Sequence, residues 1–368
     1  MALGFKLICA SAVSSEGEAV YDSVTGPCRL EFPADHGAHP GFRTEWWYYT
    51  GNLETVEGRL FGFQLTIFRR QISPPEAKNL WPDPHSEWRT QQVFLGHAAL
   101  TDISRSRHYS AEAIARGAKQ LAGVSQTPDE TVVFLKRWRI RIDSNGHKLA
   151  AISGDFQLDL DLVPLKPIVL HGKQGYSRKG DAADRASCYY SFTRLKTEGR
   201  IKINEQDVTV SGTSWMDHEF STASLQPGID GWDWFSLQLD SNEELMIYIL
   251  RQTDGTPHPA SSGTIVQSDG ATHHLSFTDF HIDVLAYWRS PHSNGLYPAR
   301  WQLTVPSKRA ILTVIPNLAD QEMRTPDSTN VTYWEGSVSV TGQTAGAQVK
   351  GEGYVELTGY AEKFTHLR

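Results

Sequence analysis

Hydrophobic and polar residues alternate along much of the chain, and this pattern predicts β-strands. In 61–67, Phe, Leu and Ile alternate with Gly, Gln and Thr, and in 156–162, Phe and Leu alternate with Gln and Asp. Successive side chains of a strand point to opposite faces, so a period of two predicts strands with one buried face. The segment 244–251 is apolar on both faces, which predicts a strand that is sandwiched between layers or borders a pocket. The best candidate helix is the alanine-rich segment 111–121.

Turn-forming residues separate the predicted strands. Asp-Gly at 254–255 and Asn-Gly at 145–146 and 294–295 are typical of hairpins and loops. Many short strands without alternating helices predict an all-β protein of antiparallel sheets or barrels. The aromatic pairs that begin at Trp47 and Trp234 are each followed by a turn and by a strand that ends in Arg. This repeat predicts two barrel-like domains in tandem, and the alternative is that aromatic strands simply resemble each other in composition.

Composition narrows the classes of function. The 368 residues carry a formal charge of −7 without a basic block, which argues against nucleic acid as the main partner. No run of about 18 apolar residues occurs, so the sequence predicts no membrane-spanning helix. The 11 tryptophans indicate either an aromatic β-rich core or an aromatic-lined pocket.

The cysteines and the N-terminus leave the compartment open. The apolar stretch of the N-terminus is short and is interrupted by Lys6, although Ala-Ser-Ala at 10–12 resembles a cleavage site. We therefore treat 1–28 as an N-terminal extension, with the remnant of an export signal as one interpretation. The three cysteines form no CxxC motif, and removal of the first residues would leave Cys28 and Cys188 as a candidate pair.

Nucleotide-binding and serine-hydrolase motifs are absent from the sequence. There is no GxxxxGK[ST], no GxGxxG after a strand and no GxSxG. His36 and His39 flank a short loop beside Asp35, and two such histidines can share a metal ion. A solvated polar turn is the more common explanation of this pattern, so we predict no metal and no cofactor.

Two segments place acids among aromatic rings. In Glu-Trp-Trp-Tyr-Tyr at 45–49, Glu45 and Trp47 share one face of a strand while Tyr48 takes the other. In Ser-Trp-Met-Asp-His-Glu-Phe at 214–220, Asp217 shares a face with its tryptophan and glutamate neighbours, and His218 faces away. Burial among rings raises the pKa of a carboxyl group, which can then donate a proton near neutral pH. The alternative is structural, since buried acids often pair with arginine and tryptophans often fill cores.

Six ordered blocks give the chain a family resemblance. They are FPADHGAHPGFRTEWWYYTGNL, LFGFQLTIFRR, GTSWMDHEFS, GWDWFSLQLD, YWEGSVSVTG and GEGYVELTGY, and they run from Phe32 to Tyr360. Together they resemble the AttH/CrtC-like family, which includes lipocalin-like AttH proteins and the carotenoid 1,2-hydratases. The resemblance implies two lipocalin-like β-barrels and, for the hydratases, addition of water to an isoprenoid double bond without an organic cofactor.

The resemblance also implies roles for particular residues. The hydratases have a Tyr-x-Asp-His-Asn block whose Asp is the proposed acid, and that Asp corresponds to Asp217, with His218 following it. This chain has Trp215 in place of the Tyr and Glu219 in place of the Asn, which is the AttH-type version. The AttH proteins are associated with an ABC transporter system of the cell envelope.

These observations give the following expectations. The fold is all-β, with a first lipocalin-like barrel at 29–200 and a second at 201–368. The protein binds an apolar lipid or isoprenoid in the envelope or periplasm, beside an ABC transporter permease. The alternative functions are an isoprenoid or carotenoid hydratase with Asp217 as proton donor and a structural two-barrel module. The alternative location is the cytoplasm or the inner-membrane periphery. The candidate catalytic residues are Asp217, His218 and Glu219. The candidate ligand-binding residues, whose tryptophans and Tyr48 should meet at one cavity or domain interface, are Glu45, Trp47, Tyr48, Tyr190, Trp215, Trp232 and Trp234.

Overall fold

The computed structural model describes residues 21–84, 86–223 and 225–363, and it is almost entirely β. The expected cleavage site at 10–12 lies outside the described residues. The first sheet contains β1 (Thr44–Glu54), β2 (Leu60–Gln71), β3 (Gln92–Asp102), β4 (Arg107–Arg116), β5 (Ala122–Gln126), β6 (Glu130–Leu135), β7 (Trp138–Asp143), β8 (Gly146–Ile152), β9 (Phe156–Pro164), β10 (Val169–Leu170), β11 (Tyr176–Arg178), β12 (Ala186–Ile203) and β13 (Gln206–Ser221).

The second sheet follows in the chain. It contains β14 (Ile229–Leu239), β15 (Glu244–Gln252), β16 (Ser262–Val266), β17 (Thr272–Ser276), β18 (His281–Arg289), β19 (Leu296–Val305), β20 (Ala310–Pro316), β21 (Glu322–Arg324), β22 (Thr332–Thr344) and β23 (Ala347–Leu357). Helical structure in the described part of the chain is confined to short 3-10 helices at Ala34–His36, Pro75–Leu80, Ile103–Arg105, Phe277–Asp279 and Pro306–Lys308.

The two sheets share one strand order. The first runs β4-β3-β2-β1-β13-β12-β9-β8-β7-β6-β5, and the second runs β17-β16-β15-β14-β23-β22-β20-β19-β18, with antiparallel neighbours throughout. The first sheet curls until β3 and β4 pack against β6, which makes it a nearly closed barrel, and the second forms a half-barrel. This agreement in topology supports the repeat that the sequence predicts and confirms the all-β fold.

The three largest apolar clusters of the described residues hold the two sheets together. One fills the first barrel, a second lies inside the second sheet, and a third lies between the two sheets. The third contains Tyr48, Tyr189, Trp215, Trp234 and Tyr248, so aromatic side chains dominate the contact between the sheets. Burial of this surface from water stabilises their packing.

The predicted helix at 111–121 is wrong. Most of that segment lies in strand β4, which pairs with β3. Ala111, Ala113 and Ala115 recur with a period of two and pack against the core of the barrel. The high helix propensity of alanine is therefore outweighed by strand pairing and by the burial of one face.

The chain passes from the first sheet to the second between Ser221 and Ile229. Strands β12 and β13 lie on both sides of the expected division at 200/201, and both belong to the first sheet. Asn204 and Glu205 have positive φ angles of 46° and 68°, and they form the hairpin turn that joins these strands.

A disulfide joins Cys28 to Cys188 on β12. It attaches the segment before β1 to the first barrel, close to the loop that carries His36 and His39. None of the helices in the described residues is long and apolar enough to cross a membrane.

Candidate active site between the two sheets

A cavity of about 790 Å³ lies between the sheets. Strands β1, β2, β12 and β13 form one wall, and β14, β15, β22 and β23 form the other. Apolar residues such as Phe68, Ile229 and Leu250 line it together with several ionisable side chains. A cavity of this size and composition suits an apolar small molecule held by a few polar contacts.

Strand alternation brings Asp217 to the cavity. On β13, Asp217 and Glu219 line the cavity while His218 points into the first barrel. Tyr48 on β1 is the cross-strand partner of Asp217, so the ring and the carboxyl group share one face of the sheet. The assignment of faces within 214–220 therefore agrees with the period-two pattern of the sequence.

The carboxyl group of Asp217 is held by three hydrogen-bond donors. Trp215 Nε1 donates to Oδ1 at 2.6 Å, and the hydroxyl of Ser191 donates to the same oxygen. Tyr189 donates its hydroxyl proton to Oδ2 at 2.8 Å. Burial raises the pKa of Asp217 to about 7, because the loss of water outweighs the stabilisation of the anion by these donors.

The residues around Asp217 form a network that reaches the second sheet. Trp234 Nε1 donates to the hydroxyl of Tyr189 at 3.1 Å. His171 bridges Ser191 at 2.7 Å and Thr264 at 2.9 Å. Burial lowers the pKa of His171 to about 3, so this imidazole is neutral and serves as both donor and acceptor. Asp217 is thus fixed in position by groups that are themselves fixed.

Glu219 belongs to a separate ion pair in the same cavity. Lys179 Nζ lies 3.4 Å from the Glu219 carboxylate and 4.0 Å from the centre of the Tyr248 ring. Burial alone would lower the pKa of Lys179, but Glu219 reverses this effect and the pKa lies above its usual value. Lys179 is therefore charged, and Glu219 is its ion-pair partner.

Two further acids lie on the opposite wall. Glu335 on β22 and Glu356 on β23 are cross-strand partners, and both line the cavity. Burial raises the pKa of Glu356 to about 7, although Trp232 Nε1 donates to it at 3.2 Å. Burial and the neighbouring Glu356 raise the pKa of Glu335 well above its usual range. The cavity thus contains carboxyl groups from both sheets that are neutral or partly neutral at physiological pH.

The remaining predicted residues form a buried polar cluster inside the first barrel. Glu45 contacts Arg69 Nε at 2.7 Å, His39 Nδ1 at 2.7 Å and His218 Nε2 at 2.8 Å. The hydroxyl of Tyr190 lies 2.9 Å from the other ring nitrogen of His218. Despite its burial, Glu45 has a lowered pKa, because His218, His39 and Arg69 stabilise its anion.

His36 and His39 are not a solvated turn, contrary to the expectation from the sequence. His36 is buried, and its Nδ1 lies 2.8 Å from the hydroxyl of Tyr190. His39 lies between Glu45 and Asp35, and although burial opposes its charge, these acids raise its pKa to about 9. Both histidines are therefore held by side chains of the first barrel.

The cluster of His39, Glu45 and His218 has the geometry of a potential metal site. Its ligand atoms lie within 4.8 Å of one another. The charge distribution opposes metal binding, because Arg69 is already paired with Glu45 and the raised pKa of His39 keeps that ring protonated. These residues form a charge-compensated hydrogen-bond network that does not fit a cation.

The structure separates the predicted site residues into two groups. Those that line the cavity are Tyr48, Asp217, Glu219, Trp232 and Trp234, and Trp215 lies beside them through its bond to Asp217. Those on the opposite face of the sheet, inside the barrel, are Glu45, Trp47, Tyr190 and His218. The expectation that Trp47 shares the cavity is therefore wrong, because it is one residue out of phase with Tyr48.

Sequence reasoning missed several cavity residues. Lys179, Tyr189, Glu335 and Glu356 line the cavity, and Ser191 lies beside them through its hydrogen bond to Asp217. A signal was present for Glu335, since Tyr-Trp-Glu at 333–335 also places an acid beside aromatic residues. For Tyr189 the sequence offers two adjacent tyrosines, and only the pairing register shows which of them faces Asp217.

Comparisons with known proteins agree with the fold. An AttH from Nitrosomonas europaea, known as a crystal structure, is 33% identical, and the match covers 92% of this chain and 99% of that one with a TM-score of 0.80. Kievitone hydratase from Nectria haematococca shares the fold at 13% identity, with 94% and 97% of the chains covered and a TM-score of 0.65. CghA, whose structure contains Sch210972, shares it at 12% identity, with coverage of 94% and 98% and a TM-score of 0.53.

A curated sequence relative extends this set. The dehydratase asqC of Emericella nidulans is 22% identical over 175 residues, which are 46% of this chain. The chain spans about half the length of this relative, since the match covers 49% of it. The fold is therefore related to those of hydratases and dehydratases.

A family assignment rests on the greater part of the sequence. The model of the AttH-like family matches residues 23–360, which include both sheets and every residue of the cavity. The chain belongs to the AttH-like family.

Proposed function

We propose that this protein is a cofactor-independent hydro-lyase that adds water to, or removes it from, a carbon–carbon double bond of an apolar substrate such as an isoprenoid. The observation that carries the proposal is the carboxyl group of Asp217, which lines a largely apolar cavity and has a pKa of about 7. A carboxyl group with this pKa is partly protonated at neutral pH and is suited to general acid catalysis.

The hydrogen bonds around Asp217 suit proton donation. In the forward direction Asp217 donates its proton to one alkene carbon, and the π electrons form the new C–H bond. The positive charge that develops on the other carbon faces the rings of Trp232 and Trp234, and water then bonds to that carbon and loses a proton. Ser191, Trp215 and Tyr189 stabilise the carboxylate that Asp217 becomes. Because these donors are in place beforehand, the charge develops without reorganisation of the site.

The relatives support this class of reaction. Kievitone hydratase and the dehydratase asqC are named for adding and removing water, and both are similar to this chain. Carotenoid hydration in particular is a narrower proposal, because Trp215 and Glu219 depart from the hydratase block.

A second candidate is an apolar-ligand carrier of the cell envelope that works with an ABC transporter permease. The Cys28–Cys188 disulfide favours it, because disulfides persist mainly in oxidising compartments such as the periplasm. The carrier would use the same cavity without turnover, so both candidates predict ligand binding and only one predicts a reaction.

Isotope labelling distinguishes the two candidates. The protein is purified from its own host, native mass spectrometry identifies the ligand that accompanies it, and that ligand is returned to fresh protein in ¹⁸O-labelled water. The hydro-lyase predicts a product that has gained labelled water or lost water, and Asp217→Asn should bind the ligand without converting it. Loss of one acid group typically lowers a rate by about 10²–10⁴-fold. Binding by the native protein without any conversion would reject the enzyme and favour the carrier.

A further inference from the structure

The cavity carries two polar groups, one on each wall, that no described residue satisfies with ordinary hydrogen-bond geometry. Glu335 is 2% exposed, and no described side chain or backbone group forms a hydrogen bond of ordinary geometry with its Oε1. The hydroxyl of Tyr48 is likewise buried and without such a partner among the described residues. Both residues line the cavity, and the hydroxyls of Tyr48 and Tyr333 act on Glu335 only as weak donors outside ordinary hydrogen-bond geometry. Buried polar groups are normally satisfied, so these two indicate a missing partner.

A pure hydrocarbon would leave these two groups unsatisfied. Filling the cavity with an alkene chain would remove water from Glu335 and Tyr48 and offer them no acceptor in return. The desolvation of a buried polar group without a hydrogen bond is unfavourable, and a site that contains such groups discriminates strongly against ligands that lack the matching atom. The ligand is therefore expected to carry a polar atom at the end that faces β22.

The protonation states of Glu335 and Tyr48 determine which kind of ligand atom they bind. The raised pKa values of Glu335 and Tyr48 keep both groups protonated, so both can donate a hydrogen bond. Among the cations that line the cavity, Lys179 is already paired with Glu219 and Arg69 with Glu45. Two neighbouring neutral donors suit an uncharged oxygen with two lone pairs, such as that of a carbonyl.

We propose that Glu335 and Tyr48 bind a carbonyl oxygen of the ligand, so that the substrate class is an apolar α,β-unsaturated ketone or a similar enone. This inference rests on the proposed function of the same cavity. It also makes the reaction easier, because the two donors draw electrons from the conjugated double bond towards the oxygen.

The chemistry of an enone balances with the residues of the cavity. Water forms a C–O bond at the β-carbon and releases a proton to solvent. The electrons of the C=C bond move towards the carbonyl oxygen, where Glu335 and Tyr48 stabilise the enolate, and Asp217 then gives its proton to the α-carbon. Neither an oxidant nor a reductant is needed, and no free carbocation is formed.

The experiment compares two ligands that share one carbon skeleton. The probes are 1,3-diphenylpropenone, which has the conjugated carbonyl, and 1,3-diphenylpropene, which lacks it. Binding is followed by quenching of tryptophan fluorescence, since Trp232 and Trp234 line the cavity. The native protein should bind the ketone about tenfold or more tightly than the hydrocarbon.

Substitutions then test whether the preference for the ketone depends on Glu335 and Tyr48. In Glu335→Leu and in Tyr48→Phe the preference should fall to about threefold or less, with hydrocarbon binding retained, because each removes one donor and keeps the apolar surface. Glu335→Gln retains a donor and should retain much of the preference. Glu198→Leu, on the exposed side of β12, is the control for an added leucine and should leave the preference unchanged. Tyr48→Phe also removes no ring packing, so it tests the inference even if a substitution at 335 disturbs folding.

Three results would overturn the inference. They are equal binding of the two probes by the native protein, a preference that survives both Glu335→Leu and Tyr48→Phe, and failure of the ketone to bind at all. A preference without turnover would leave the carbonyl site standing and remove the hydro-lyase. Conversion of a hydrocarbon alkene without a preference would retain the hydro-lyase and remove the carbonyl site.

Discussion

Replacing Asp217 by Asn should make the protein more stable at neutral pH. The pKa of this carboxyl group is 3.8 in a model peptide and about 7 in the folded protein. Between these values the folded state holds a proton that the unfolded chain has lost, so the stability contributed by protonated Asp217 is fully present below about pH 4 and is lost as pH rises to about 7. The shift is about three pKa units, and each unit is worth about 1.4 kcal/mol, so the loss is about 4 kcal/mol.

Asparagine avoids this loss and can keep the hydrogen bonds. Its amide oxygen can accept from Ser191 and Trp215 as Oδ1 does, and its amide nitrogen can donate to the hydroxyl of Tyr189, which reverses the direction of that hydrogen bond and retains the contact. We therefore expect the native protein and Asp217→Asn to be similarly stable near pH 4. At pH 7.5 the variant should be more stable by about 4 kcal/mol.

Denaturant unfolding at a series of pH values measures this difference directly, provided that both proteins unfold in a two-state transition. Glu45→Gln is the matched control, because it replaces another buried acid with its amide. Its expected pH dependence is opposite: the pKa of Glu45 is lowered, so its stabilising contribution is present above the unfolded pKa and is lost as pH falls. A difference for Asp217→Asn that does not change with pH, or a variant that is less stable at pH 7.5, would show that Asp217 is a structural anion and refute the reasoning.

Three further changes test the first barrel. Glu45→Gln should lower the free energy of unfolding by about 3–5 kcal/mol at neutral pH, because fully buried Arg69 loses the carboxylate with which it pairs. A decrease below about 1 kcal/mol in denaturant unfolding would contradict this ion pair. Replacing Cys28 and Cys188 by serine should lower the free energy of unfolding by about 2–5 kcal/mol. A structural disulfide would be contradicted if neither this substitution nor reductant changed the unfolding midpoint of the protein. His39 has a pKa raised to about 9, so the stability it contributes is present below about pH 6.5 and is lost as pH rises through 9. In His39→Gln the free energy of unfolding should therefore decline by about 3 kcal/mol less than in the native protein over this interval. Identical pH profiles of unfolding for the two proteins would refute this assignment.

The fold could be predicted from the sequence because its main signal is local. Alternation in 61–67 and 156–162 marks strands β2 and β9 directly, and Asn-Gly pairs mark turns such as the one at 145–146. The helix predicted at 111–121 shows where local preference is insufficient. There the alanines satisfy helix propensity and strand periodicity equally, and pairing with β3 decides between them.

The site could be predicted only in part, because its assembly depends on register between distant strands. Asp217 and Tyr48 follow from alternation within their own segments and are brought together by the pairing of β1 with β13. The sequence pattern favours Tyr190, whereas Tyr189 makes the contact with Asp217. A shift of one residue exchanges the two faces of a strand. Glu335 lies on a different sheet, more than 100 residues from Asp217, and no local pattern shows that the two walls face each other.

The shared strand order of the two sheets explains why the cavity has acids on both walls. Strand β13 pairs with β1 in the first sheet, and β23 pairs with β14 at the corresponding place in the second. Each of these strands carries a cavity acid, Asp217 or Glu356, and the cross-strand partner of each acid is a large aromatic residue, Tyr48 or Trp234. The sheets meet through corresponding faces, as the two copies in a symmetric dimer do, so one type of strand pair contributes an acid to each wall. The neighbours then make the walls different. Asp217 has Ser191 as its partner on β12, a donor that favours its anion, whereas Glu356 has Glu335, a second acid that favours the neutral form. In the proposed reaction, this asymmetry lets Asp217 release a proton while Glu335 offers a hydrogen bond to an oxygen.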